Sequence, residues 1–327
     1  MTPRERIIAA LELRVPEGLV PHVELEYQLT EEVFGRKALR SGDLEGVTGQ
    51  KRKDMLKRNA ELWVDVAKTY DWSVITGTHW LPVDAQCESF EYIKEIAGDD
   101  YMLSAFFDGT FGIPGGGDMT NHVVWLYEKP EEAKAHAERS VENSAESGRQ
   151  LIEAGAEIVF MCADYCFNDG PFLPPRIFRE FVTPYLTKIV ASIHEAGGYA
   201  VKHTDGNIMP ILDQLVSADI DALHSLDPMA GVDIAEVKRL YGDQICFIGN
   251  VDCSYVQSGT PEEIIGSSLY CLEYGGVDSG GYIFSSSNCI FAGVPIESYN
   301  LMLEVRKEYG YPGAKRPKEK FAPPQGL

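Results

Sequence analysis

His203 and Asp205 lie two residues apart in 201–207, VKHTDGN, where an apolar run ends and a helix-like segment begins. On an extended strand end that spacing turns both side chains to one face. An imidazole beside a carboxylate can bind a metal ion or move a proton. The bland alternative is a buried structural histidine and an aspartate capping a helix that starts near Asn207. A second apolar run, 245–252 (ICFIGNVD), ends in Asn250 and Asp252, and a third, from Tyr282, runs into SSSNC and Cys289. If these run ends share one mouth, His203, Asp205 and Cys289 form a three-ligand zinc site with one open position. A lone free cysteine is otherwise simply a small buried hydrophobe.

The elements that must position these residues alternate along the chain. Thr2-Pro3-Arg4-Glu5 is a helix start, with a capping threonine, proline in the first turn and glutamate closing the box. Residues 18–27 (GLVPHVELEY) read as a strand, and 50–70 as a long amphipathic helix. Strand-like segments follow at 72–78, ending near His79, and at 101–107, ending at Asp108. Another, at 157–161, leads to Asp164. The spacing predicts a helix over 131–154 and one over 175–196 with a kink at Pro184. Residues 199–202 lead to His203, 222–223 to His224 and Asp227, 245–248 to Asn250, and 282–284 to the serines before Cys289. Thr260-Pro261-Glu262-Glu263 repeats the capping chemistry of the N-terminus.

About eight units of strand followed by polar residue, with helices between many of them, predict a single (β/α)₈ TIM-type barrel over 1–327. It carries an N-terminal helical extension (1–18) and a surface tail (310–327). No G-x-G-x-x-G follows the first strand, which weighs against a dinucleotide-binding fold. In a barrel the carboxyl ends of the strands line the active site. His203, Asp205 and Asp164 are therefore the catalytic candidates. Glu26, Tyr27, His79 and Trp80 are candidates to contact substrate, as are Tyr165, His224, Asn250 and Asp252. The aromatic members suit a planar ligand but are equally ordinary as core packing. Gly115-Gly116-Gly117 fits either an anion cradle or a flexible lid. Cys162 and Cys166, four apart, are a weak metal signal without a second pair.

The chain has 29 Lys and Arg against 50 Asp and Glu, a net charge of −21. That disfavours nucleic acid and anionic membrane surfaces as partners. No apolar run approaches the roughly 18 residues that span a bilayer, and the N-terminus lacks a secretion signal's apolar core. Seven irregularly spaced cysteines then read as reduced thiols of a cytoplasmic protein.

Taken in order, these segments resemble the uroporphyrinogen decarboxylase superfamily. The resemblance rests on TPRERIIAAL, DGPFLPPRIFREFVTPYL from Asp169 and KHTDGNIMPILDQL from Lys202. DPMAGVDIAEVKRLYG from Asp227, IGNVD from Ile248 and GVPIESYNLMLE from Gly293 complete it. It implies a (β/α)₈ barrel, with a homodimer possible. One branch of the superfamily decarboxylates tetrapyrroles and holds the substrate carboxylates with an arginine-rich motif. Here the matching stretch, 22–30, is HVELEYQLT and contains no arginine. The other branch consists of zinc-dependent methyltransferases that work with corrinoid proteins and carry a His-x-Cys motif. Here that motif is His203-Thr204-Asp205, with Cys289 near the later ligand. Carboxylate in place of thiolate makes a harder site, suited to an oxygen leaving group. The resemblance thus implies transfer of a methyl group from an aryl methyl ether to a corrinoid-binding protein, with zinc as metal. Tetrapyrrole decarboxylation and a non-catalytic binding subunit are the alternatives.

Overall fold

Parallel strands whose apolar residues recur at every second position must bury both faces, and this chain solves that by curling its sheet. The computed structural model describes residues 1–115 and 117–324; Gly116, centre of the glycine run, and the last three residues lie outside them. The strands are β1 (Val74–Ile75), β2 (Met102–Phe106), β3 (Ile158–Met161), β4 (Cys166–Phe167), β5 (Gly170–Pro171), β6 (Tyr199–His203), β7 (Ala222–Ser225), β8 (Cys246–Val251) and β9 (Tyr282–Ser286). Seven of them form one parallel sheet in the order β1-β2-β3-β6-β7-β8-β9. β4 and β5 form a small antiparallel hairpin around the expected turn at Asp169.

Residues 20–28 fill the remaining place in the barrel. Phe284 N–H donates to Pro21 O (2.9 Å) on one side, and Ser73 N–H donates to His22 O (2.7 Å) on the other. The expected strand 18–27 is extended but pairs only through single parallel bridges, His22 with Phe284 and Tyr27 with Ile290. Pro21 lacks the N–H that a continuous ladder needs. The result is a TIM-type barrel with one irregular stave.

Alternation sorts the side chains. Val74, Met102, Ile158, Phe160, Val201, Ala222, Cys246, Ile248 and Ile283 point inward and pack with Val23 and Leu25. Ile7, Ala10 and Leu11 of the helix Pro3–Leu11 join this cluster and plug the amino-terminal end of the barrel. That helix has the expected Thr2–Glu5 capping box. Outward residues pack under the surrounding helices in a larger cluster that includes Trp63, Trp72, Phe178 and Phe247. The helix expected over 175–196 is two, Pro175–Phe181 and Thr183–Glu195, broken at Val182, because Pro184 has no N–H to bond the Glu180 carbonyl one turn earlier. The tail is anchored: Arg316 pairs with Asp278 (2.8 Å) and Glu273 (3.4 Å), and Phe321 packs on Tyr270 and Tyr274.

The plugged end is held by a charged node. Fully buried Arg306 donates to Val20 O (2.6 Å) and Asp71 (2.8 Å), and Arg6 donates to Asp71 (2.6 Å) and Leu19 O (3.1 Å). One aspartate thus ties the first helix, the irregular stave and the last helix. In the barrel wall, fully buried Glu24 accepts from the Ser285 (3.3 Å) and Ser286 (2.5 Å) hydroxyls. Burial pushes its carboxyl up to about 8, against the opposing pull of Ser286 and Ser285.

Two outcomes are expected. Asp71→Ala leaves a buried arginine without its carboxylate and lowers unfolding free energy by about 3 kcal/mol in urea titration. Glu24 has a raised folded-state pKa, so its contribution is present at low pH and is lost as pH rises toward about 8. Glu24→Gln therefore flattens the fall of melting temperature between the ordinary carboxylate value of 4.5 and about 8; an unchanged slope there would contradict the assignment.

Candidate functional site

β6 and β7 run in register with His203 opposite His224, both inward at the carboxyl end of the barrel. Their Nδ1 atoms are 2.8 Å apart. Burial, and then the Lys202 charge, push His203 down to about 3. Burial, and then His203, hold His224 well below the ordinary histidine range. Both rings are therefore neutral at neutral pH, and one Nδ1 donates where the other accepts. This leaves His203 Nε2 facing the mouth, 3.9 Å from Asp164 Oδ1 and 3.9 Å from Asp205 Oδ1.

The two carboxylates are fixed differently. Asp205 accepts from Ser225 Oγ (2.7 Å) on one oxygen and from Asn288 Nδ2 (2.6 Å) on the other. Burial raises its pKa to about 6, opposed by Ser225 and Asn288 and assisted by the charges of Asp164 and Asp227. Asp164, half exposed, accepts from the Asp205 backbone N–H (3.1 Å), which locks the two strand ends together. Asp205 does not cap the following helical turn; Asn207 does, by accepting from Met209 N–H (3.1 Å).

Below this layer lies a buried ion pair. Lys202 points out of the barrel, fully buried, and donates to Asp108 Oδ2 (2.8 Å), Met161 O (3.1 Å) and Ala163 O (2.8 Å). Its ammonium sits 4.1 Å from the centre of the Tyr165 ring. Asp108 also accepts from Ala163 N–H (3.0 Å), so the pair fixes the loop that carries Asp164. Burial opposes ionisation of Asp108, but Lys202 and Thr110 outweigh it and hold its carboxyl below the usual range.

Asp164, His203 and Asp205 offer ligand atoms all within 4.8 Å of one another. Ligands about 2.1 Å from a tetrahedral ion are roughly 3.4 Å apart, so the separations here need little closure to hold zinc. An imidazole nitrogen without a hydrogen-bond partner, flanked by carboxylates of which one is pushed up first by burial and then by the other's charge, fits a divalent cation. The set is one nitrogen and two oxygens. Cys289 does not lie within that group: half-buried, it packs against the inner barrel cluster. The residue that reaches Asp205 from that strand end is Asn288, one position earlier.

The other sequence candidates divide. His79 and Glu26 face each other at the rim (3.4 Å), and His79 stacks on Phe106 (4.2 Å) and packs on Trp80 (4.4 Å). The pull of His79 and Gln28 outweighs burial and lowers the Glu26 pKa. Tyr27 is elsewhere: buried, it bonds Tyr70 (3.0 Å) within an aromatic cluster with Trp72 and Tyr299. Tyr165 is buried under Lys202, its hydroxyl on Thr110 (2.6 Å). Asn250 donates to Leu226 O (2.7 Å) and accepts from Cys271, and Asp252 caps the helix Cys253–Ser258. Those four positions have structural partners and do not join the group at His203. Ser225, Asn288 and the Lys202–Asp108 pair went unnoticed as site residues in the sequence. Lys202 alone left a signal there, a lysine inside an apolar strand.

Residues 83–309 match the model of the family described as uroporphyrinogen decarboxylase (URO-D), and the chain belongs to that family. Among curated relatives, the methylcobamide:CoM methyltransferase MtaA of Methanosarcina barkeri is 22% identical over 228 residues, covering 69% of this chain and 64% of the relative. The uroporphyrinogen decarboxylase of Vibrio campbellii is 25% identical over 235 residues, covering 67% of this chain and 62% of the relative. The chain thus spans a little under two thirds of the length of these relatives. Among solved structures, a methyltransferase from Methanosarcina mazei superposes with a TM-score of 0.72 at 17% identity, covering 94% of this chain and 99% of that one. A B12-independent methionine synthase from Shewanella sp. W3-18-1 does so at 0.53 and 12%, covering 80% and 88%. These two share the fold.

Titration of the purified protein with zinc or cobalt(II) is expected to show one tight site. His203→Ala and Asp205→Ala abolish it, and Asp164→Asn weakens it. Cys289→Ala retains it; loss of the site in that variant would return the cysteine to the ligand set.

Proposed function

We propose that this protein is a methyltransferase that moves a methyl group from a small donor to the cobalt of a corrinoid held by a partner protein. The preferred donor is an aryl methyl ether, and Asp164, His203 and Asp205 hold a zinc ion. The observation that carries this reading is His203 Nε2, neutral and oriented by His224, placed 3.9 Å from two carboxylates at the ends of two barrel strands. The methyltransferase relative supports the reaction class. A metal at this position supplies Lewis-acid assistance to a leaving oxygen.

The chain's own residues do the rest. His79, Trp80 and Phe106 form a stacked aromatic shelf at the rim that can hold a planar ring. Where no ion is held, Asp205, its carboxyl pushed up to about 6 by burial, would instead protonate that oxygen. A reduced corrinoid would supply the electron pair for the new bond to the methyl carbon, while the pair of the broken C–O bond stays on the oxygen, neutralised by the ion or by that proton. A ligand set with no thiolate favours oxygen donors over thiols.

Decarboxylation of a polycarboxylate tetrapyrrole fits less well. The mouth presents Glu26, Asp164 and Asp205, and residues 22–30 contain no arginine. Like charges repel the acetate arms of such a substrate. A purely structural barrel gains nothing from bringing Asp164, His203 and Asp205 together at its mouth, where like charges repel.

The test is incubation with methoxylated phenols, methylamines or methylthiols and a reduced corrinoid protein, following cobalt absorbance. Methoxylated phenols are expected to give the methylated spectrum, and His203→Ala and Asp205→Ala to reduce the rate to background. No spectral change with any donor sinks the proposal.

A further inference from the structure

Residues 36–58 reverse the charge of the chain. Eight of its 29 Lys and Arg lie there against three Asp and Glu, a local net charge of +5 in a chain of −21. Two of these cations have structural duties: Arg36 pairs with Asp65 (2.5 Å) and Arg52 with Asp84 (2.6 Å) and Glu88. Lys37, Lys51, Lys53, Lys57 and Arg58 are exposed and, among the described residues, have no carboxylate within ion-pair distance. The helix Gly49–Tyr70 has no acid in its first turn, where the helices starting at Pro3, Val83, Pro130 and Pro261 each have one or two. Cations near a helix start work against its dipole, a local cost that only the Arg52 pairs offset among the described residues.

Lys37 and Arg58, with Arg36, rim a groove with an apolar floor. It has a volume of about 530 Å³ and is lined by these three cations, Asn59 and one acid, Glu61, above Leu39, Met55 and Leu62. Its place in the fold follows from chain direction. Residues 20–28 run parallel to β9, so the chain leaves that stave at the barrel mouth, and the helix Gly49–Tyr70 starts there and runs back to the plugged end. Arg40 lies 3.3 Å over the Trp80 ring, and Ser41 donates to Trp80 O (2.8 Å). The basic face is therefore continuous with the aromatic shelf beside the candidate site.

We propose that this basic groove at the barrel rim is the docking surface for an acidic face of the corrinoid-carrying partner protein, an inference that rests on the methyl-transfer reading. Charge complementarity carries it. The rest of the chain is acidic overall, and in its other cation-rich stretch, 306–320, Arg306, Arg316 and Lys318 are already paired with Asp71, Asp278 and Glu273, so an acidic partner is drawn chiefly to the rim from which the methyl group must leave. The apolar floor gives such a partner a place to bury a side chain between flanking ion pairs.

The probe is each cobalamin-loaded corrinoid-binding protein of the source organism, with binding measured by calorimetry at several salt concentrations. The wild type is expected to bind one of them with an affinity that falls as salt rises. Lys37→Glu/Lys57→Glu/Arg58→Glu is expected to weaken that binding by at least about tenfold. Lys307→Glu/Lys315→Glu, beyond the opposite end of the barrel, leaves it unchanged. Circular dichroism checks folding of both variants. Salt-independent binding, equal affinity of the triple variant, or no binding by the wild type overturns the proposal. Methyl transfer to free reduced cobalamin is measured in parallel. Its presence without docking keeps the methyl-transfer reading and rejects the surface; its absence with docking intact does the reverse.

Discussion

A buried ammonium group sets the geometry of this barrel's mouth. Lys202 is removed from water inside the wall, where an uncompensated charge is prohibitive, so it must find oxygen atoms. It takes one from Asp108 after β2 and two from the backbone at the end of β3. Three strand ends are thereby fixed to one another. Asp164 follows the β3 carbonyls, and His203 is the next residue along β6. Both reach the mouth at heights set by that one interaction, and the Asp164–Asp205 backbone bond closes the arrangement.

On this frame the site is electrostatically poised. Two histidines share one hydrogen bond, and burial keeps both uncharged. Two carboxylates crowd the imidazole nitrogen, and among the described residues neither has a lysine or arginine paired with it. Such a group is complementary to a positive charge that the chain does not itself provide. The same deficit runs through the whole protein, whose charge of −21 is relieved chiefly at the rim around residues 36–58. The mouth and its rim thus have opposite characters: an acidic interior suited to a metal and a basic margin suited to an acidic macromolecule.

Much of this was legible in the sequence. Capping signals placed the helix starts at Thr2 and Thr260, and the alternation of strand-like and helical segments gave the barrel. The His203–Asp205 pair was readable because period-two geometry is local. The irregular stave and the broken helix at Val182 also have local causes, in Pro21 and Pro184. Candidates chosen only for standing at a strand end fared differently. Tyr27, Tyr165 and Asn250 end strands too, yet each turns into packing partners that lie far away in the sequence, and Asp252 caps the helix that follows it.

The sequence by itself determined the fold class and the family, because periodicity, caps and motif order are written along the chain. It also determined the excess of acid and where that excess reverses. Which strand-end residues converge is a matter of the closed sheet. Asp164 lies with His203 and Asp205, Asn288 supports Asp205 from the last strand, and His224 bonds His203. Convergence depends on register and strand twist around a closed barrel. A shift of one residue turns a side chain to the opposite face, and no local pattern records which register the closed sheet adopts.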